Sequence, residues 1–465
     1  MKAKVGLEIH VPLPTKTKLF CRCAVRGEAE EPNVNICPTC TGLPGAKPTL
    51  NKAAFIFTLK IAKALNCEIN PKTNFSRKTY FYPDLPKNFQ ITQYDNPIAE
   101  NGVLELIYPV KQIRINRVHL EEDPGSIKYV KDGRILIDYN RSGIALAEIV
   151  TQPDFEGTTE VASFMKLLHA YLRYLGIPAP ENFIRCDINV SIEDGARVEI
   201  KNVSGINIIK KTLDFEINRQ IKLRNMDMSI KRATLMFDSD RGITIPLRKK
   251  EYEEEYGYIF EPDLPLYDLA PLIESIEIPR LPDKKLMDFV GEKGLDDPTQ
   301  VNTITEIIFQ SELWADALDQ LSNDLGYSKK LVNIISFLIS RLDQQTSSAI
   351  ISTYYNEFKG LASLALNNGV PYQSMCDALQ QLIKTGNLPD LQIWFSSKKV
   401  NQNEIEEVIN TFLMENPNIL VDMKRDSKVI NFAIGQIIKK TGWRQQAKAV
   451  HRILSNRLKQ ENRSK

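Results

Sequence analysis

Apolar and polar residues alternate from Val5 to Val11, with Val5, Leu7, Ile9 and Val11 on one side and Glu8 and His10 on the other. A period of two predicts a half-buried strand. The same alternation runs through Ile135–Asn140, and again through Ile184, Cys186, Ile188, Val190 and Ile192, resuming at Val198 and Ile200. Asp194-Gly195 marks a turn between these last two runs. A two-residue connection would set Ile192 opposite Arg197 and mix the faces. A three-residue connection, Glu193-Asp194-Gly195 with glycine in the left-handed position, sets Val190 opposite Val198 and Ile188 opposite Ile200. The other face then carries Asp187 across from Lys201, Asn189 across from Glu199, and Ser191 across from Arg197. Such a charged strip is either a solvated outer face or an active surface, and a sheet that also presents Glu8 and His10 favours the second.

Helical spacing through Ala54, Phe57, Ile61 and Leu65 predicts a helix over Asn51–Asn66. Arg77–Gln93 (RKTYFYPDLPKNFQITQ) shows neither period and reads as a long loop. Its Arg77, Lys78 and Lys87 could bind phosphate, and Tyr80, Phe81 and Tyr82 could stack on a base; a proline-anchored loop packed by its own aromatics fits equally well. After Pro279–Pro282 strand alternation stops. Leu331, Ile334, Ile335, Leu338 and Leu342 form an apolar helical stripe. Three more stripes follow: Ile405, Val408, Ile409, Phe412; then Ile430, Ile434, Ile437, Ile438; then Trp443, Ala447, Val450, Leu454. This texture divides the chain into a strand-rich region over 1–283, a helical linker domain over 284–396 and a small all-α tail over 397–465.

Two groups of side chains bear chemistry. Glu8 and His10, two apart on one strand face, could offer an oxygen and a nitrogen to one cation. Cys21-x-Cys23 and Cys37-x-x-Cys40, joined by a 13-residue polar loop, can close a tetrahedral zinc shell; free thiols and a redox pair are the alternatives. A closed four-thiolate shell has no open position, so such a zinc is structural. The acidic run in RVHLEEDPG (Arg117–Gly125) is an exposed turn or a site for a hard cation. Strand phase cannot choose there between Glu121 and Glu122.

The chain has 465 residues, 43% hydrophobic and 25% charged, which is ordinary globular usage for several domains. A net charge of +2 announces no global basic field. Basic residues instead gather between Lys424 and Lys465, opposed by Asp426 and Glu461. That is the footprint of a phosphate-backbone contact or an ordinary basic helical surface. MKAKVGLEIH has no apolar core of a signal peptide, and no apolar run nears the ~20 residues of a membrane span. Scattered Cys67, Cys186 and Cys376 suit a reducing cytoplasm. No Gly-x-x-x-x-Gly-Lys-Ser/Thr occurs, which excludes a Walker-type nucleotide site.

In order along the chain stand GLEIH (Gly6–His10), the paired cysteines with GLPG (Gly42–Gly45), RKTYFYPDLPK (Arg77–Lys87), HLEEDPG (His119–Gly125), LIDYNRSGIALAEIV (Leu136–Val150), RCDINVS (Arg185–Ser191) with EIKN (Glu199–Asn202), and EPDLPL (Glu261–Leu266). Together they resemble the GatB family, the B component of the aspartyl/glutamyl-tRNA(Asn/Gln) amidotransferase. The resemblance covers the first half densely, and the helical linker and basic tail fit it in length and order. The related archaeal GatE proteins carry a large inserted domain for which this chain is too short.

The resemblance implies an α+β fold. A cradle like that of glutamine synthetase and guanidino kinases, an antiparallel sheet backed by helices, would be followed by the helical linker and a YqeY-like, tRNA-binding tail. It implies a carbon–nitrogen ligase with glutamine as amide donor. ATP phosphorylates the side-chain carboxylate of Glu or Asp wrongly esterified to tRNA(Gln) or tRNA(Asn), and ammonia displaces the phosphate. The ammonia comes from a separate amidase subunit (GatA), with a small third subunit (GatC) bracing the pair, and this chain has no Ser/Lys amidase signature of its own. Carried over, Glu8, His10 and Glu122 are magnesium ligands, and Cys21, Cys23, Cys37 and Cys40 match the zinc ligands of some members. Arg77, Lys78, Tyr80 and Lys87 would face ATP or the acceptor end, while Asp187, Glu199 and Lys201 line the same basin. The chain departs from the family pattern at Thr79, at Val203-Ser204-Gly205 and over Gly442–Lys448. Two readings of another class remain beside it: a tRNA-docking scaffold without chemistry, and a zinc-dependent hydrolase, which the filled thiolate shell disfavours.

Overall fold

The computed structural model describes residues 2–25, 31–130, 132–178, 180, 184–193, 195–248, 257–368, 370–389, 402–417, 419, 422–423, 428–441 and 447–461. Strand β1 (Ala3–Pro12) lies inside a nine-stranded sheet. The other members are β2 (Glu68–Ile69), β6 (Ala99–Leu106), β7 (Lys111–Glu122), β10 (Ala145–Thr151), β11 (Arg185–Ile192), β12 (Val198–Ser204), β13 (Ala233–Asp238) and β14 (Ile243–Arg248). Their order is β14-β13-β12-β11-β1-β10-β7-β6-β2, antiparallel throughout except for the parallel pair β12/β13. Val5, Leu7, Ile9 and Val11 are buried as their alternation predicts, on the face that packs into the main core.

Three helices pack on the sheet: α1 (Lys52–Ala64), α2 (Thr158–Tyr174) and α3 (Ile206–Asn225). The side chain of Asn51 caps α1 by accepting from Ala53 N at 2.9 Å, a device worth about 1 kcal/mol. A smaller sheet joins β15 (Gly257–Phe260), β4 (Ser76–Thr79) and β5 (Phe89–Thr92), and β5 packs on β7. The stretch 77–93, expected as one long loop, therefore begins and ends in strands, with residues 80–88 between them. Its alternation is hidden by prolines and by partners far along the chain. The remaining strand pairs are β3 (Lys72–Thr73) with β16 (Tyr267–Asp268), and β8 (Ser126–Tyr129) with β9 (Ile135–Asp138).

In the β11–β12 hairpin, Val190 pairs with Val198, Ile188 with Ile200 and Asn189 with Glu199, as the patterning required. The turn differs from expectation. Glu193 rather than Gly195 takes the left-handed conformation, at φ 40°. The ladder also slips between Cys186 and Ile188, so Asp187 meets Lys201 through an ion pair of 3.0 Å rather than as a direct cross-strand partner.

The chain separates into two compact units, Met1–Ala315 and Asp316–Lys465. The helical texture expected from 284 starts inside the first unit: after α4 (Ala270–Ser275), helices α5 (Pro282–Lys293) and α6 (Pro298–Gln310) pack on α2, and Tyr174 Oη donates to Ile308 O at 2.8 Å. Helix α7 (Glu312–Leu325) runs through the division. In the second unit α8 (Lys329–Ile339), α9 (Gln344–Ser352), α10 (Tyr355–Asn368) and α11 (Tyr372–Thr385) pack together and bury Leu331, Ile334, Ile335 and Leu338. The tail holds α12 (Gln402–Glu415), α13 (Lys428–Thr441) and α14 (Ala447–Glu461) around Ile405, Ile409, Phe412, Ile437, Val450 and Leu454. Trp443 lies outside the described residues. Of the basic run, Arg452 and Arg457 are exposed on α14, and the other basic side chains from Lys424 to Lys465 lie outside the described ones. No helix among the described residues is long and apolar enough to cross a membrane.

Candidate active site

The sheet face opposite the main core is polar along one diagonal band. Strand register builds it. Glu8 pairs with Asp187 on β11, and His10 pairs with Glu148 on β10. Glu148 in turn pairs with His119 on β7, and Glu121 follows two residues later on the same side. Asn189 pairs with Glu199 on β12. Lys78 comes in from the small sheet, its Nζ 4.0 Å from Glu121 Oε2.

Two groups of metal-ligand type arise from this band. His10, Glu121 and Glu148 bring their donor atoms within 4.8 Å of one another, as do Glu8, Asp187 and Glu199. Each acid is held in place. Gln90 Nε2 donates to Glu121 Oε1 at 2.8 Å, and His119 Nε2 lies 3.1 Å from Glu148 Oε2. Asn189 Nδ2 donates to Glu8 Oε1 at 2.9 Å. Lys201 Nζ sits 3.0 Å from Asp187 Oδ2 and 2.8 Å from Glu199 Oε1. Both groups are rich in carboxylate oxygen, the donor type hard divalent cations prefer.

Crowding shows in the titration behaviour. Burial, then Glu148 and Asp187, push the Glu8 carboxyl up to about 7. Burial works against a charged His10, yet Glu148, Asp187, Glu121 and Glu8 outweigh it and raise the imidazole. Burial likewise opposes charge on Glu148, but His119, His10 and Lys78 hold it well below the usual carboxylate range. Lys201 stays firmly cationic, because Asp187 and Glu199 overcome its desolvation. A carboxyl so raised in a cluster of acids is a place where a cation would relieve repulsion.

The four cysteines form a third group, with Cys21, Cys23, Cys37 and Cys40 donors within 4.8 Å of one another. The cluster can bind a metal such as zinc. A hydrogen bond from Cys21, set against burial, brings the Cys40 thiol down to about 4, and burial with a bond to Cys37 raises Cys23 to about 11. Four thiols sharing protons in this way are a donor set suited to a soft-to-borderline cation.

Residues 3–273 match the family described as the GatB/GatE catalytic domain. Full-length relatives agree with this. The chain is 36% identical to the B component of the aspartyl/glutamyl-tRNA(Asn/Gln) amidotransferase of Sulfolobus acidocaldarius, over 98% of this chain and 99% of the relative. Proteins of the same name from Thermodesulfovibrio yellowstonii and Haloarcula marismortui are 35% and 34% identical, covering 99% and 95% of this chain and 99% and 94% of theirs. The chain belongs to this GatB family of amidotransferase subunits.

Set against the family-based expectations, the structure brings Glu8, His10, Asp187, Glu199 and Lys201 together in one band and gathers the four cysteines separately. It does not bring Glu122 to His10. Strand alternation turns Glu122 to the other side of β7, where its carboxylate accepts from Lys87 Nζ and from Ile91 N at 2.7 Å. Glu121 takes the expected place. Lys87 is thereby committed to Glu122. Arg77 is similarly engaged, its Nε and terminal nitrogen donating to Glu261 at 2.7 and 2.8 Å. Tyr80 Oη donates to Gln90 Oε1 at 2.9 Å and so braces the residue that holds Glu121. Glu148 was missed by sequence reasoning, while His119, which the strand pattern sets on one face with Glu121, was given no role there. His119 Nδ1 is buried without a hydrogen-bond partner among the described residues.

Proposed function

We propose that this chain is the carboxylate-activating component of a tRNA-dependent amidotransferase. It would use ATP to phosphorylate the side chain of Glu or Asp carried by tRNA(Gln) or tRNA(Asn), and then let ammonia displace phosphate to give Gln-tRNA or Asn-tRNA. Ammonia would be released from glutamine by an amidase partner, with a small third protein in the complex and the reaction set in the cytoplasm. Two carboxylate-rich groups meeting on one sheet face, in a chain of this family, are the observation that carries the reading. The fold region over 1–283 would act as the cradle, 284–396 as a linker and 397–465 as a tRNA-holding tail.

The residues divide the work by chemistry. Glu8, Asp187 and Glu199 on one side, and His10, Glu121 and Glu148 on the other, would hold magnesium. Bound there, magnesium would offset charge on a transferring phosphoryl group. Lys201 and Lys78 would orient phosphate oxygens as point cations. Gln90, Tyr80 and His119 would keep the acids in position. Cys21, Cys23, Cys37 and Cys40 would carry structural zinc.

The test combines the purified chain with an amidase partner, glutamine, ATP, magnesium and each mischarged tRNA. Magnesium-dependent ADP formation together with amide formed on the tRNA is expected. A chain that binds the tRNA yet turns over no ATP would be the docking scaffold instead. A shortened chain lacking residues 424–465 is expected to show a higher tRNA KM. Its binding should also depend less steeply on salt, since fewer phosphate contacts release fewer counterions; an unchanged salt slope would take the tail out of the tRNA interface.

A further inference from the structure

Lys18 is fully buried. Lysine almost never reaches that state unless its charge is met. Its Nζ lies 2.9 Å from Asn35 O, 3.4 Å from Tyr139 O and 3.7 Å from Cys40 Sγ. The carbonyls satisfy donors but bring no charge. The cysteine group does: four thiolates around a divalent cation carry two net negative charges. Lys18 is also part of the cysteine turn itself, because Lys18 N donates to Cys23 O at 2.9 Å.

The main chain next to it reaches, through Gly143, the acidic turn at the end of β7. Leu19 N donates to Gly143 O at 2.7 Å, and Gly143 N donates to Asp123 O at 2.8 Å. Gly143 has φ +88° and presents its backbone to three things at once: the Lys18 stem, Cys40 and the Glu122 carboxylate. A Cβ there would lie 3.5 Å from Lys18 Cδ, 3.7 Å from Cys40 Cβ and 3.8 Å from Glu122 Oε2. Arg141 Nε reaches Asp123 Oδ2 at 3.2 Å.

We propose that Lys18 is the counter-ion and N–H···S donor of a four-cysteine metal centre, and that through the 139–143 loop it ties that centre to the acidic end of β7. This rests on the metal reading of the cysteines. Lys18 is a positioning residue: it touches no reacting group, and holds Cys40 and Tyr139 in fixed relation. Removing a group that hydrogen-bonds a metal ligand commonly costs about 10- to 100-fold in metal affinity.

The experiment uses the full-length chain loaded with zinc or, separately, with cobalt. Zinc retention is followed against a competing chelator for wild type and Lys18→Met. The variant is expected to release zinc at about 10- to 100-fold lower chelator concentration. Its cobalt form should show an altered thiolate-to-metal absorption band. Hydrogen exchange should rise over residues 139–144 in the variant, and in wild type once zinc is stripped. Equal zinc retention with an unchanged band would overturn the role of Lys18 while leaving the metal centre standing. A wild type that binds neither zinc nor cobalt would remove the metal centre and this proposal together. Should Lys18→Met fail to fold, amine acylation of wild type followed by mass spectrometry decides: Lys18 should be protected with zinc and labelled once zinc is removed, and labelling indifferent to zinc refutes the proposal.

Discussion

Glu8→Ala is expected to reduce ATP-dependent amidation by about a hundred- to a thousand-fold, the scale of losing one group that offsets charge in a transition state, with tRNA affinity essentially unchanged. Glu8 sits where the two acidic groups approach each other, paired with Asp187 across β1 and β11 and neighbouring His10, which pairs with Glu148. Taking it away removes an oxygen donor and loosens Asn189, whose amide it accepts. The fold should survive, because Glu8 lies on the open face while Leu7 and Ile9 carry the packing. Full amidation by the variant would refute the cation assignment. Loss of tRNA binding along with activity would point to a structural role instead. The raised carboxyl adds a pH signature. Its pKa of about 7 means that the metal-free side chain holds a proton in mild acid, and a cation must displace it. Magnesium affinity of the chain is therefore expected to fall as pH drops through about 7, and to depend less on pH in Glu8→Ala. Equilibrium binding between about pH 6 and 8 checks this.

What the sequence made legible follows the range of the interactions. The period of two in Val5–Val11 placed Glu8 and His10 on one face without reference to any other segment. The cysteine spacing and the β11–β12 register are also local, and the structure bears out the first, and the second from Ile188 to Val190. Glu148 escaped for a physical reason. Strand β10 is buried on both sides, so ALAEIVT reads as continuous interior rather than as two distinguishable faces. Only the pairing order β1-β10-β7 shows that Glu148 stands between His10 and His119. The pairing of Arg77 with Glu261 could not be read from the sequence either, because Glu261 lies far along the chain and meets it only when β15 pairs with β4. Lys18 gave no signal, since neither of the two lysines in TKTKLF carries a mark of burial.

Glu121 and Glu122, adjacent in sequence and indistinguishable by pattern, are expected to fail in different ways when changed. Glu121→Gln keeps an acceptor for Gln90 but loses the charge shared with His10, Glu148 and Lys78. Amidation should drop by about a hundred-fold, with stability within about 1 kcal/mol of wild type because one hydrogen bond is retained. Glu122→Ala removes the carboxylate that Lys87 and Ile91 N–H both use, where Lys87 is only 8% exposed. Breaking a buried ion pair from one side costs about 3–5 kcal/mol, so the urea midpoint should fall markedly. Any loss of activity should then track the loss of folded protein. The two variants are separated by measuring urea midpoint and magnesium-dependent turnover on the same preparations. If Glu122→Ala proved stable but inactive, and Glu121→Gln stable and active, the residue after the one placed here beside His10 would be the cation ligand, and the strand phase argued for β7 would be wrong.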